Sequence, residues 1–239
     1  MKKLFFTLVV CGVAYTSSAQ SQEIAPGDSI PWELRKQSFI YNTALQFNDP
    51  VIARMALYNL IAENPGNIAL YDSLAISYLE YNQNASAALV AQQALRINPN
   101  DMFAAEVAAT GFDKLGAKDQ ALKNYEKLYL DSQDLNTLYK MSFLQYELKR
   151  FTEATTSLDI IIEDPTSKES SIFFPTTDRQ GQEVPLDVSA HRVKAMIEEA
   201  KGNMDAAKAK YLEVLGMYPG FEVVQQQLRD LTKPEDGGE

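Results

Sequence analysis

Between residues 34 and 167 apolar and small residues recur at helical spacing. In "LYDSLAISYLEYNQNASAALVAQQALRINP", Tyr71, Leu74, Ala75 and Tyr78 form one set and Ala87, Ala91 and Ala94 a second. The spacing predicts two successive amphipathic helices, and Pro99, which lacks an N–H and clashes with the preceding turn, predicts where the second one stops. One stretch breaks the rhythm. "SIFFPTTDRQGQEVPL", residues 171–186, alternates with a period of two and contains two prolines and a glycine, which predicts a short hairpin at an edge. Pairing Ile172 with Leu186 sets Phe174 opposite Val184 and Thr176 opposite Gln182, with "TDRQG" as the turn. Ile172, Phe174, Val184 and Leu186 then share one face, while Phe173, Pro175, Glu183 and Pro185 point the other way. Two strands alone are marginal in water, so the hairpin must lie against the helices.

The helical pattern itself repeats. Pro65 and Pro99 are 34 residues apart, as are Ala53 and Ala87, and Leu60 and Ala94. Another 34 residues on, Ala109, Phe112, Ala121, Tyr125 and Leu128 fit the same template; Ala154 follows Ala121 by 33, and Gln145 stands where an aromatic is usual. The unit before Pro65 holds Ala53, Leu57 and Leu60, but Tyr41 occupies its small position. After the interruption, Ala195, Gly202, Ala207, Tyr211, Val214 and Pro219 restore the register, although Lys194 and Glu198 replace an apolar and an aromatic residue. This fifth unit is expected to start near Val188, capped by Asp187. Beyond it "FEVVQQQLRDL" predicts one amphipathic helix closing the array.

This grammar of aromatic, Leu, small, aromatic, then Ala, Ala and a closing Pro resembles the tetratricopeptide repeat. The resemblance implies an all-α fold: a right-handed superhelix of about five helical hairpins plus a C-terminal capping helix, with a short β-hairpin-like insertion before the last repeat. The expected organisation is a signal peptide over 1–19, a flexible lead over 20–33, a solenoid over 34–231 with the insertion at about 168–187, and a disordered tail over 232–239.

Residues 1–19 join a basic start, "MKK", to a stretch of twelve apolar residues and end in Ser17-x-Ala19, which predicts secretion with cleavage after Ala19. Lipid attachment at Cys11 is disfavoured because "LVVC" lacks the small residues that precede a lipidated cysteine. Cleavage removes the only cysteine and two lysines, so the net charge falls from −10 to −12. An exported chain without cysteine folds on core burial alone. Its acidity argues against nucleic acid and against adsorption to an anionic membrane. The expected location is the periplasm or the cell exterior.

No phosphate-binding loop, nucleophile elbow or zinc-binding motif is present in the sequence. The one histidine, His191, takes the place in its unit that Tyr71 takes in the second, and is expected to pack. We therefore expect no catalytic residue, no metal and no cofactor. In the resembled family the first helix of each hairpin lines a concave groove. Here that implies Arg35, Ser38 and Asn42, then Asp72, Ile76 and Leu79, then Phe103, Glu106, Thr110 and Asp113, then Asn136, Tyr139, Phe143 and Tyr146, with Arg192 and Met196 last. Acidic Asp72, Glu106 and Asp113 would repel a chaperone carboxylate, the best-known ligand of such grooves. Tyr139, Phe143 and Tyr146, spaced by four and three, share one helix face that either packs inside or receives a polypeptide. Phe173, with Asp178 and Arg179, is a candidate lip of the groove, against the plainer reading of the insertion as a loop covering a joint. The partner-binding candidates are thus Tyr139, Phe143, Tyr146, Asp72, Glu106 and Phe173. The expected function is a scaffold that binds a protein or peptide; the alternative is a self-assembling, homo-oligomeric envelope protein.

Overall fold

The computed structural model describes residues 30–177 and 179–233; the expected signal peptide, most of the lead, Asp178 and the end of the tail lie outside them. Five helical hairpins follow one another: α1 (Trp32–Gln46) with α2 (Pro50–Glu63), α3 (Ile68–Glu80) with α4 (Asn84–Ile97), α5 (Met102–Lys114) with α6 (Lys118–Ser132), and α7 (Leu135–Glu147) with α8 (Phe151–Glu163). A single 3-10 turn, Pro165–Lys168, leads to strands β1 (Ser171–Phe174) and β2 (Gln182–Pro185). The last hairpin, α9 (Leu186–Ala200) with α10 (Met204–Met217), and a final helix α11 (Glu222–Thr232) complete the solenoid. No helix among the described residues is long and apolar enough to cross a membrane.

The repeat is written into the backbone as well as the side chains. Every turn inside a hairpin has one residue in the left-handed region: Asn48, Asn82, Gly116, Lys149 and Gly202. Their intervals are 34, 34, 33 and 53, so the insertion adds 19 to a full period. At each turn an N–H just beyond that residue reaches back to an earlier carbonyl: Asp49 to Ala44, Gln83 to Tyr78, Ala117 to Phe112, Arg150 to Gln145 and Asn203 to Glu198, at 2.8–2.9 Å. These bonds satisfy carbonyls that a helix end leaves orphaned.

Small residues let the helices approach. Ala75, Ala87, Ala91, Ala94, Ala108, Ala109 and Ala121 are fully buried, and Gly111 of α5 lies so close to α4 that a methyl group there would stand 3.1 Å from the Ala88 Cβ. The departures from the repeat pattern have their own chemistry. Gln145 is buried and accepts from the Ser157 hydroxyl at 3.0 Å. Lys194 reaches back to Asp159 of α8 at 2.5 Å, and Glu198 accepts from Asn203 and Lys201. Tyr41 is half-buried and packs on the cluster of Leu57, Leu60 and Leu74.

Two details of the insertion correct the expectation. The strands pair Ser171 with Pro185, Ile172 with Val184, Phe173 with Glu183 and Phe174 with Gln182, a slip of two from the expected register. A slip of two preserves the faces, because side chains alternate with a period of two. Leu186 is lost to the ladder because it begins α9, where its N–H bonds the Ser170 carbonyl at 2.9 Å. The helix also starts two residues before Val188. Asp187 is therefore not its cap but a buried residue of the first turn, whose carboxylate takes the Val188 N–H at 2.8 Å.

The hairpin's inner face joins two cores. Ile172 packs on the cluster built by α7, α8 and α9, whereas Val184 and Phe174 belong to the C-terminal cluster with Tyr211, Val214 and Phe221. Each such side chain contributes about 1.5–3 kcal/mol on burial. The insertion covers the joint between the fourth and fifth units.

Candidate functional site

Most candidates lie on the first helices of the hairpins, and they fall into three groups along the array. In α3, Asp72 is half-buried and one of its carboxylate oxygens is enclosed without a hydrogen-bond partner among the described residues. Burial and the neighbouring Asp101 carboxylate, itself the cap of α5 through the Ala104 N–H at 3.0 Å, push the Asp72 carboxyl up from 3.8 to about 7. Glu106 is exposed on α5. Asp113, further along the same helix, is raised by burial and by Glu147. The middle of the concave surface is therefore acidic and partly desolvated.

α7 brings the aromatic residues, but not as one platform. Tyr139 is 7% exposed and belongs to the core between α7 and α9; burial holds its hydroxyl above the ordinary range, and the Arg192 charge partly offsets this. The spacing of four and three places all three rings on one side of the helix, and α9 then covers the first of them. Phe143 and Tyr146 are half-buried against the same core and extend as a row to Phe151, with ring centroids 5.8 and 6.3 Å apart. Burial and Glu199 hold the Tyr146 hydroxyl above its ordinary range.

Arg192 of α9 connects the third group. Its Nε donates to the Gln227 side chain of α11 at 2.8 Å, and its guanidinium lies over the Phe174 ring of β1 at 5.4 Å. Below it the Tyr211 hydroxyl donates to Glu199 at 2.6 Å, and burial beside that carboxylate raises the tyrosine far above its ordinary range. Next to Arg192 opens a cleft of about 680 Å³, bordered by Pro175, Thr176 and Thr177 of the hairpin loop and by Glu222, Gln226 and Arg229 of α11. Glu222 fixes the loop by accepting from the Thr177 N–H at 3.0 Å.

Phe173 stands apart from this cleft. Its ring is 65% exposed on the outer face of the hairpin and lies over Gly181, where a Cβ would meet it at 2.1 Å. The lip of the cleft is Pro175 to Thr177 instead. Sequence reasoning placed Arg192 on the concave side but missed its partners Phe174 and Gln227. The alternation in β1 gave Phe174 an inner face, but nothing local linked it to a residue 18 positions later. His191 is half-buried, and burial lowers its imidazole below the ordinary range.

No family model matches the chain, and no curated protein matches it in sequence. Solved structures do share its shape. A tetratricopeptide repeat protein from Parabacteroides merdae superposes with a TM-score of 0.61 at 18% identity, covering 84% of this chain and 73% of that one. MamA from Desulfovibrio magneticus RS-1 gives 0.56 at 12%, covering 86% and 100%. YrrB, a tetratricopeptide protein with an unusual peptide-binding site, gives 0.51 at 16%, covering 74% and 81%. The fold is that of the tetratricopeptide solenoid.

Proposed function

We propose that this tetratricopeptide solenoid is a binding scaffold, working without catalysis, whose concave surface holds a segment of another polypeptide. The observation that carries the proposal is the succession, along the first helices of the hairpins, of the acidic stretch Asp72, Asp101 and Glu106 and the half-buried rings Phe143 and Tyr146. An extended segment with basic side chains toward α3 and α5 and an apolar residue toward α7 meets both. Aromatic rings give large contact area at little cost in conformational entropy. The basic start, apolar stretch and Ser17-x-Ala19 of residues 1–19 support work in the periplasm or outside the cell, with another envelope protein as the natural partner.

Affinity capture from an envelope extract tests this. With the chain as bait, Phe143→Ala combined with Tyr146→Ala is expected to lower recovery of the captured polypeptide at least about tenfold, the loss of a small hot spot. Melting of the variant is measured in parallel. Equal recovery by the variant and the wild type would remove the aromatic row from the binding surface.

A further inference from the structure

The two ends of the solenoid are finished differently. At the C-terminal end α11 lays Val223, Val224, Leu228 and Leu231 on the last core and turns Gln226, Arg229 and Asp230 to solvent. At the N-terminal end, no described residue does the same for α1 and α2. Trp32, Phe39 and Phe47 are 66%, 72% and 79% exposed. Positions 32 and 39 lie on one stripe of α1, Phe47 follows directly after the helix, and a shallow, mainly apolar groove there is lined by Phe39, Ile40, Phe47 and Ile52, with Asp49 at its edge. This is the side opposite α3, where a preceding hairpin would pack if the array continued.

We propose that this end is the interface of a closed dimer, occupied by the same end of a second copy. Two observations select that occupant. First, the chain carries a net charge of −10, yet residues 32–63 hold three acidic side chains (Glu33, Asp49, Glu63) and three basic ones (Arg35, Lys36, Arg54). Residues 218–239 at the other end hold five acidic and two basic side chains, so two copies repel one another less at this end than at that one. Second, head-to-tail stacking would press the apolar groove against the polar outer face of α11. Only head-to-head pairing matches apolar with apolar, and it closes after two copies instead of growing into a filament. At roughly 200 Å² per fully exposed ring, the three aromatic residues offer roughly 430 Å². Ile52 and Met55, both exposed, bring the patch toward the about 800 Å² per partner of a standard interface. Residues 20–29, "QSQEIAPGDS", have one large apolar side chain, Ile24, and are a poor substitute.

This pairing leaves the concave surface open, so it stands independently of polypeptide binding. Light scattering on size-exclusion fractions of the full-length protein, purified with whatever leader it retains, measures the mass across a concentration series. The expected result is twice the chain mass at micromolar concentrations. Phe39→Glu is expected to shift the dimer midpoint at least about hundredfold to higher concentration, because pairing would bury an uncompensated carboxylate from each copy. Phe47→Lys gives the same loss with the opposite charge and serves should the first variant fold poorly. Leu130→Glu, at a 77% exposed position on α6, leaves the dimer intact. A monomer at every concentration, with the face covered by the lead or by a different protein, would overturn the proposal. So would a dimer indifferent to both end-face substitutions.

Discussion

Asp72 shows how one buried carboxylate links stability to partner binding. Burial and Asp101 raise its carboxyl to about 7, so the folded chain keeps a proton that the unfolded chain releases near pH 3.8. The stability gained from that proton is complete below pH 3.8 and is lost as the pH rises through about 7. Asp72→Asn cannot ionise and is expected to flatten that loss. The difference at pH 8 is on the order of 1 kcal/mol in the variant's favour, reduced because the carboxylate is still partly solvated. Urea unfolding of both proteins at pH 4 and pH 8 measures it. A basic partner side chain would draw Asp72 into its ionised form, so binding of such a segment strengthens as the pH rises through about 7. At this scale the sequence was only partly readable. Spacing placed Asp72, Tyr139 and Arg192 on the concave side, but whether α9 would reach across and cover Tyr139 depends on how two hairpins meet. That is a tertiary contact between positions 53 apart.

The helical hairpins were legible because period and turn chemistry agree at every unit. Their left-handed turn residues carry a prediction of their own. Lys149, with φ of 58°, occupies a conformation that costs an ordinary side chain about 1 kcal/mol. Lys149→Gly is expected to raise stability by at most about 0.5 kcal/mol, after the greater freedom of glycine in the unfolded chain is allowed for; a melting curve checks it. The β-hairpin was legible in its faces and not in its register. Alternation fixes which side chains point inward, but the ladder's end was decided by the start of α9 at Leu186, and no strand signal announces where a helix claims a residue. The inner face matters most at Phe174, whose ring meets Phe221 edge to face at 4.8 Å and underlies Arg192. Phe174→Ala is expected to cost about 3 kcal/mol and to loosen the lip of the cleft beside Arg192. Faster amide exchange at Thr177 and along α11, with α3 and α4 unchanged, would report this.

In a solenoid each unit depends mainly on its neighbours, so the ends and the groove take the functional weight. The two proposed tasks fall on two surfaces: holding a polypeptide on the concave side and pairing at the N-terminal end. The total charge and the closing helix α11 were readable from composition and amphipathicity. The open N-terminal end was not, because Trp32, Phe39 and Phe47 look like ordinary core positions until a preceding hairpin is found to be missing among the described residues. The concave surface is the central claim, and site-specific photo-crosslinking tests it most directly. A photoreactive amino acid is placed at Asn136 on the concave side of α7 and, separately, at Leu130 on the outer side of α6, and both proteins are irradiated in envelope extract. Crosslinks to one polypeptide from Asn136, absent from Leu130 and suppressed by Phe143→Ala with Tyr146→Ala, are the expected result. Equal labelling from both positions, or labelling from Leu130 alone, would contradict binding in the groove.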